Sequence, residues 1–193
     1  MQNESDMHHM KKIAVFASGS GTTFRSIVEY SHMKDSIYEV SALVTDRKNC
    51  GAVNIAGNFH INVIRYGTDT TEELKRLSPD LIVLAGFLKI IGKDLIESFS
   101  GKIVNIHPSL LPSFGGMGYY GLRVHQAVKD SGVKYTGFTI HHVDGNVDGG
   151  RIIYQEVVPV LDSDSPETIG NRVHERELKS YPEIIESILL EDP

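Results

Sequence analysis

The stretch Ile13-Ala14-Val15-Phe16-Ala17-Ser18-Gly19-Ser20-Gly21-Thr22-Thr23 decides how this chain folds. Five consecutive apolar residues end in a serine–glycine run, which reads as a strand buried on both faces followed by a tight turn. Phe24, Ile27 and Val28 then recur at helical spacing, so a helix begins near Thr22 or Thr23. Outward from this unit the same alternation repeats. Apolar runs predict strands over 40–45, 61–66, 81–85 and 102–106, separated by helical segments over 52–59, 72–77 and around Leu95, Ile96 and Phe99. Buried strands alternating with helices predict an α/β fold with a doubly wound, mostly parallel sheet. Right-handed crossovers put every strand's C-terminal end on one rim, where such sheets bind ligands. The strand-end segments 18–23, 86–91 and 105–112 are therefore expected to converge.

Beyond Pro112 the pattern changes. Residues 113–121 hold four glycines and two tyrosines, which predicts a loop. A helix over 122–131 follows, and then two longer strands over 135–143 and 151–160, joined by an Asp- and Gly-rich turn. These two strands form an antiparallel extension near the C-terminus. A closing helix spans 166–190, with Asp164 or Ser165 able to cap it and Pro166 suited to its first turn.

The chain has 193 residues, a length that suits one domain over 11–193, with residues 1–10 (MQNESDMHHM) read as a disordered leader, native or added. With 19 basic and 25 acidic side chains the formal charge is −6, which argues against a surface built to grip nucleic acid or anionic lipid. No run of 18 apolar residues exists to span a membrane. The lone cysteine, Cys50, excludes an internal disulfide, fits a reduced cytoplasmic setting and reads as a small buried hydrophobe.

Four places can carry chemistry. The loop from Ser18 through Gly21 to Thr23 can aim backbone N–H groups and a helix N-terminus at an anion, or it can be a hydroxyl-capped turn. In Asn105-Ile106-His107-Pro108, residues two apart share one strand face, so Asn105 and His107 are two donors able to hold a developing oxyanion, or two polar residues solvating the rim. Asp144 and Asp148 lie on a glycine-flanked turn from which a carboxylate can approach and orient a histidine, although an ordinary surface turn has the same composition. His141 and His142 precede that turn on opposite strand faces, so only one can look into a site. His174 and Glu177, three apart on the last helix, share a face.

In this order, the loop SGSGTT, the run NIHPSLLP and the downstream DGG resemble the formyltetrahydrofolate-using superfamily and, within it, the glycinamide ribonucleotide formyltransferases of purine synthesis. The likeness covers nearly all of residues 11–190. It implies a Rossmann-like formyltransferase fold and transfer of a formyl group from 10-formyltetrahydrofolate to the primary amine of glycinamide ribonucleotide, without a metal. Asn105, His107 and Asp148 then match the catalytic trio: Asn105 and protonated His107 hold the oxygen of a tetrahedral intermediate, while Asp148 keeps His107 charged and assists proton transfer. Gly21, Thr22, Thr23, Pro108, His174 and Glu177 match the ribonucleotide side. Leu88, Lys89, Ile90 and Ile91, with Asn105, Asp144, Gly145, Asn146, Val147 and Asp148, match the folate side. The expected partners are these small molecules, and the chain is expected as a monomer or homodimer.

The sequence departs from that family's pattern at GGMGYYG (residues 115–121), where the loop is longer and Tyr119 and Tyr120 can cover the cleft. It departs again at Lys89, where arginine is common, and at the short stretch 67–78. Arg65 and Lys89 are candidates for the folate's glutamate tail. Three alternatives stay open at this point. One is a related formyl-folate enzyme acting on an amino-sugar nucleotide or on water. Another is a metal-dependent hydrolase using His107, His141 or His142, Asp148 and His174. The last is a non-catalytic nucleotide-binding domain.

Overall fold

The computed structural model describes residues 10–191. Of the leader expected over 1–10, only Met10 falls inside that range, and it is exposed. The elements follow in order β1 (Lys11–Phe16), α1 (Thr22–Ser31), β2 (Tyr38–Thr45), α2 (Gly51–Asn58), β3 (Asn62–Arg65), α3 (Thr70–Leu77), β4 (Leu81–Leu84), α4 (Lys93–Ser98), β5 (Ile103–His107), α5 (Leu122–Ser131), β6 (Tyr135–His142), β7 (Ile152–Pro159) and α6 (Pro166–Glu191). They build a seven-stranded sheet of order β3-β2-β1-β4-β5-β6-β7. β1 to β5 are mutually parallel, whereas β6 runs antiparallel to β5 and β7 antiparallel to β6. The doubly wound, mostly parallel sheet with an antiparallel C-terminal extension is the architecture the apolar runs predict.

The two-residue period of β1 explains why helices cover both sheet faces. Ile13, Val15 and Ala17 turn toward Phe24 and Ile27 of α1 and Tyr181 and Ile185 of α6. Ala14 and Phe16 turn the opposite way, toward Leu74 of α3 and Leu95 of α4. Each fully buried large side chain stabilises the fold by about 1.5–3 kcal/mol before entropy is counted. The chain leaves β1 toward β2 and β3 on one side, then crosses back to place β4 on the other. The crevice beside the C-terminal ends of β1 and β4 is therefore a topological switch point.

Local details refine the expected boundaries. α3 starts at Thr70 rather than 72, because Thr70 Oγ1 accepts the Gly67 N–H at 2.8 Å and the Thr71 hydroxyl donates to Asp94 at 2.6 Å. At the start of α6, Ser165 is the cap: its Oγ accepts the Thr168 N–H at 3.2 Å. Asp164 instead receives both arms of the Arg172 guanidinium at 2.7 Å, which holds its carboxyl down at about 2. The long α6 accommodates Pro182 within its span, and the neighbouring Tyr181 hydroxyl donates to the Leu84 carbonyl at 3.1 Å, tying the helix to the rim end of β4. Cys50 is not the buried hydrophobe expected. It is half-buried at the N-cap of α2, with Sγ 3.8 Å from Thr45 Oγ1.

Candidate active site

The expected convergence of strand ends takes place. Residues 19–23, 86–91 and 105–108 line one cleft of about 1080 Å³, joined by residues from 116–122, 143–148 and the first half of α6. The rest of the third segment does not line the cleft, and Ser109 and Leu111 turn into the protein. Ser109 is fully buried, and the Leu111 N–H donates to Thr139 Oγ1 at 2.9 Å.

At the centre of the cleft, Asn105 and His107 leave the same face of β5, and β6 supplies a histidine to them. Register pairs Asn105 with His141 across the β5–β6 ladder, and Asn105 Nδ2 lies 3.1 Å from His141 Nε2. His141 Nδ1 is 2.9 Å from the His142 carbonyl, which can only accept, so Nδ1 carries the proton. Burial holds the His141 imidazole below its ordinary pKa, against the opposing effects of that carbonyl bond and of Asp148. A neutral ring protonated on Nδ1 leaves Nε2 as an acceptor, so the Asn105 amide donates to it. That bond fixes which way the amide faces and leaves its second N–H free of His141. Of the two histidines read as facing opposite ways, His141 is the one that enters the site.

His107 is buried, with 4% of its surface exposed. Its Nε2 is 2.8 Å from the Phe114 carbonyl and therefore donates to it. Its Nδ1 is 3.5 Å from Asp148 Oδ2, while Asp148 Oδ1 is 3.8 Å from His141 Nε2. One carboxylate thus faces two imidazoles. Asp148 adopts a positive φ of 55° and accepts the Gly116 N–H at 2.9 Å, so the glycine-rich loop and the DGG turn meet on it. The second glycine of that turn is obligatory, because a Cβ on Gly150 would collide with the His142 carbonyl. The other acid of the turn, Asp144, does not reach a histidine. It is exposed and accepts the Asn146 N–H at 2.7 Å, organising its own turn.

At the polar end, Gly21 precedes α1 with φ of 80°, packed so closely on Ala52 that a Cβ would lie 2.7 Å from the Ala52 Cα. Only glycine fits there, and it brings the loop's backbone to the N-terminus of α1. Thr22 Oγ1 is 2.9 Å from His174 Nε2, and His174 Nδ1 is 3.1 Å from Glu177 Oε2, a chain running from α6 to the loop. The bond to Glu177 raises the His174 pKa above its ordinary value, despite partial burial. Arg47 lines this end as well, just beyond β2, with an exposed side chain.

At the opposite end, Leu88 and Ile90 line the cleft with 57% and 67% of their surface exposed, joined by Val147 at 43%. Lys89 lines it too. Ile91 is 6% exposed, and Phe87 packs edge-on against Phe16 and Tyr66, so these two support the apolar edge from the core. Arg65, exposed on the outermost parallel strand, is not among the residues lining the cleft, whereas Pro108, Gly145 and Asn146 are. Tyr119 and Tyr120 line the cleft, as the loop's departure predicts, and Met117 joins them.

Among the lining residues that escape sequence reading are Arg47 and His125. Arg47 had one usable signal, its place just past a parallel strand on the binding rim. His125 is 8% exposed, with Nδ1 sealed without a hydrogen-bond partner; burial lowers its pKa against the pull of Glu177. Among the described residues no cluster of three or more His, Cys, Asp or Glu side chains is arranged to hold a metal ion, and no helix is long and apolar enough to cross a membrane.

An open α/β sheet with a glycine loop at its switch point and an amide, two imidazoles and a carboxylate in the same cleft defines a class of rim-site protein with a glycine turn and a polar side-chain cluster on one rim. Within that class the chain belongs to the formyl transferase family, which matches residues 11–185. It is 39% identical over 193 residues to the phosphoribosylglycinamide formyltransferase of Bacillus subtilis (strain 168), covering 93% of this chain and 95% of that one. It is 44% identical over 189 residues to the chloroplastic phosphoribosylglycinamide formyltransferase of Vigna unguiculata, covering 92% of this chain and 61% of the relative's length. The crystal structure of glycinamide ribonucleotide transformylase 1 from Geobacillus kaustophilus superposes with a TM-score of 0.86 at 36% identity, over 94% of this chain and all of that one (100%).

Proposed function

We propose that this protein, as one formyltransferase unit from residue 11 onward, transfers the formyl group of 10-formyltetrahydrofolate to the primary amine of glycinamide ribonucleotide. The observation that carries this reading is the gathering of Asn105, His107 and Asp148 in one cleft with the glycine loop and the apolar edge. The relatives' names supply the acceptor and the group transferred; the folate donor is what the sequence resemblance implies. A ribonucleotide phosphate suits the N–H groups of residues 21–23 and the hydroxyls of Thr22 and Thr23, with Pro108, His174 and Glu177 along its ribose and glycinamide. A flat pterin suits the exposed apolar side chains of Leu88, Ile90 and Val147 and the backbone of residues 144–148.

The chemistry follows from that placement. The neutral amine attacks the formyl carbon, forming the new C–N bond and moving charge onto the formyl oxygen. The free N–H of Asn105 donates to that oxygen. His107 has its Nε2–H committed to Phe114, so Nδ1 is the nitrogen that donates, from the protonated ring, with Asp148 balancing the ring's charge. Asp148 accepts the proton shed by the attacking nitrogen and returns it, through water, to N10 of the folate as the old C–N bond breaks. Products are the formylated ribonucleotide and tetrahydrofolate, with no proton left over. The test is a spectrophotometric assay with 10-formyl-5,8-dideazafolate as donor and glycinamide ribonucleotide as sole acceptor. Stoichiometric formylation of the ribonucleotide is the expected result; donor turnover without the acceptor, or none with it, would refute the reading.

A further inference from the structure

Ser18 lies outside the cleft lining yet touches both sides of it. It is 1% exposed, one position beyond the apolar run of β1. Its hydroxyl donates to Asp46 Oδ1 at 2.6 Å, on the connection between β2 and α2. The same oxygen accepts the Leu88 N–H at 3.1 Å, on the connection after β4, and the Ser18 N–H donates to the Gly86 carbonyl at 3.3 Å. The next residue begins the glycine loop, and the Gly19 carbonyl accepts the Ala52 N–H at 3.4 Å. One buried side chain therefore joins the three rim connections that follow β1, β2 and β4.

Both uses of the oxygen matter. A hydroxyl has one proton and two lone pairs, and the Asp46 carboxylate takes the proton, which points a lone pair at Leu88. A charged acceptor makes this the stronger kind of hydrogen bond. Leu88 heads the apolar edge and Gly21 to Thr23 form the anion cradle, so the Ser18 oxygen sets the distance between the two ends. Neither end draws its own ligand contacts from Ser18. The reaction, however, needs atoms held from both ends to meet at about 3 Å, and misplacement by about 1 Å costs on the order of 100-fold in rate.

We propose that Ser18 is a positioning residue, held by Asp46, that fixes the spacing between the ribonucleotide and folate ends of the cleft and so governs turnover rather than affinity. This rests on the two-substrate reading above. The test uses the whole chain, with calorimetry for glycinamide ribonucleotide and 5,8-dideazafolate separately and steady-state kinetics for both together. For Ser18→Ala, turnover at saturation is expected to fall about ten-fold or more, while each ligand alone binds within about three-fold of the parent and the pH–rate profile keeps its shape. Asp46→Ala is expected to fall in the same direction and to keep the proposal testable should the serine variant fold poorly. Asp46→Asn, whose amide oxygen still accepts the serine proton, is expected to stay within about three-fold of the parent, and Ser18→Ala with Asp46→Ala to fall no further than the worse single change. Turnover of both alanine variants within about two-fold of the parent overturns the proposal, as does a loss of affinity that matches the loss of turnover. A parent protein that binds both ligands without transferring the formyl group refutes the proposed activity instead, and is told apart before any variant is made.

Discussion

At the polar end of the cleft Gly21 is wedged against Ala52, and Thr22 is tied through His174 to Glu177 before any ligand arrives. At the apolar end Leu88 and Ile90 stand with more than half their surface in solvent. The first end is preorganised, so an anion bound there orders little. The second gains mainly by being covered, at about 1.5–3 kcal/mol per apolar side chain buried. Between them, Asn105, His107, His141 and Asp148 share hydrogen bonds and close contacts with one another. On the proposed reading, binding energy and chemistry fall on different residues, and each can be perturbed separately.

The largest effect is expected where the ends meet. Asn105→Ala removes a donor to the developing oxyanion, and kcat should fall about 10²–10³-fold with both KM values little changed; an unaltered kcat in steady-state kinetics would reassign the residue. Gly21→Ala forces a Cβ onto Ala52 at a positive φ. At about 1–3 kcal/mol of strain it should weaken ribonucleotide binding ten-fold or more by calorimetry while sparing the folate. Ile90→Ser is the mirror experiment, with folate KM rising about ten-fold and the ribonucleotide unaffected. If both substrates responded equally to either change, the two ends would not be distinct.

The smallest effect is electrostatic and confined to the polar end. The His174 pKa is raised by Glu177, so the ring stays charged to higher pH than an ordinary histidine and loses its charge as pH rises through that raised value. A charged imidazole bonded to Thr22 of the proposed phosphate loop favours an anion there, so ribonucleotide affinity should fall a few-fold across that window, limited by exposure and salt. His174→Gln, compared with the parent over the same pH range to cancel the phosphate's own titration, should flatten this component. Folate affinity should show none of it.

How much of this was legible in the sequence depended on the range of the interaction. β1, β4 and the glycine loop were readable because apolar runs and glycine turns are local signals, and Asn105 and His107 because a strand's two-residue period fixes their shared face. The choice between His141 and His142 was not, since periodicity separates the faces without saying which one is inward, and the ladder shifts between Ile140 and His141. The same holds for Asp144 and Asp148, separated only by the backbone course of their turn. The Phe114 carbonyl on His107 and the Ser18 link to Leu88 were invisible: one is a main-chain contact, the other spans 70 residues. That Arg65 lies on the edge strand was equally hidden, because a strand's position in the sheet order cannot be seen in its own composition.

Asn105 faces His141 only because β5 and β6 are aligned as they are. A slip of a single position would present Ile140 or His142 to the amide, flipping every later side chain to the opposite side of the sheet. The C-terminal hairpin is thus more than a border on a nucleotide-type core. Its ladder acts as a vernier for the Asn105–His141 pair, so a deletion or insertion of one residue in β6 should abolish the proposed formyl transfer even where the parallel strands still fold.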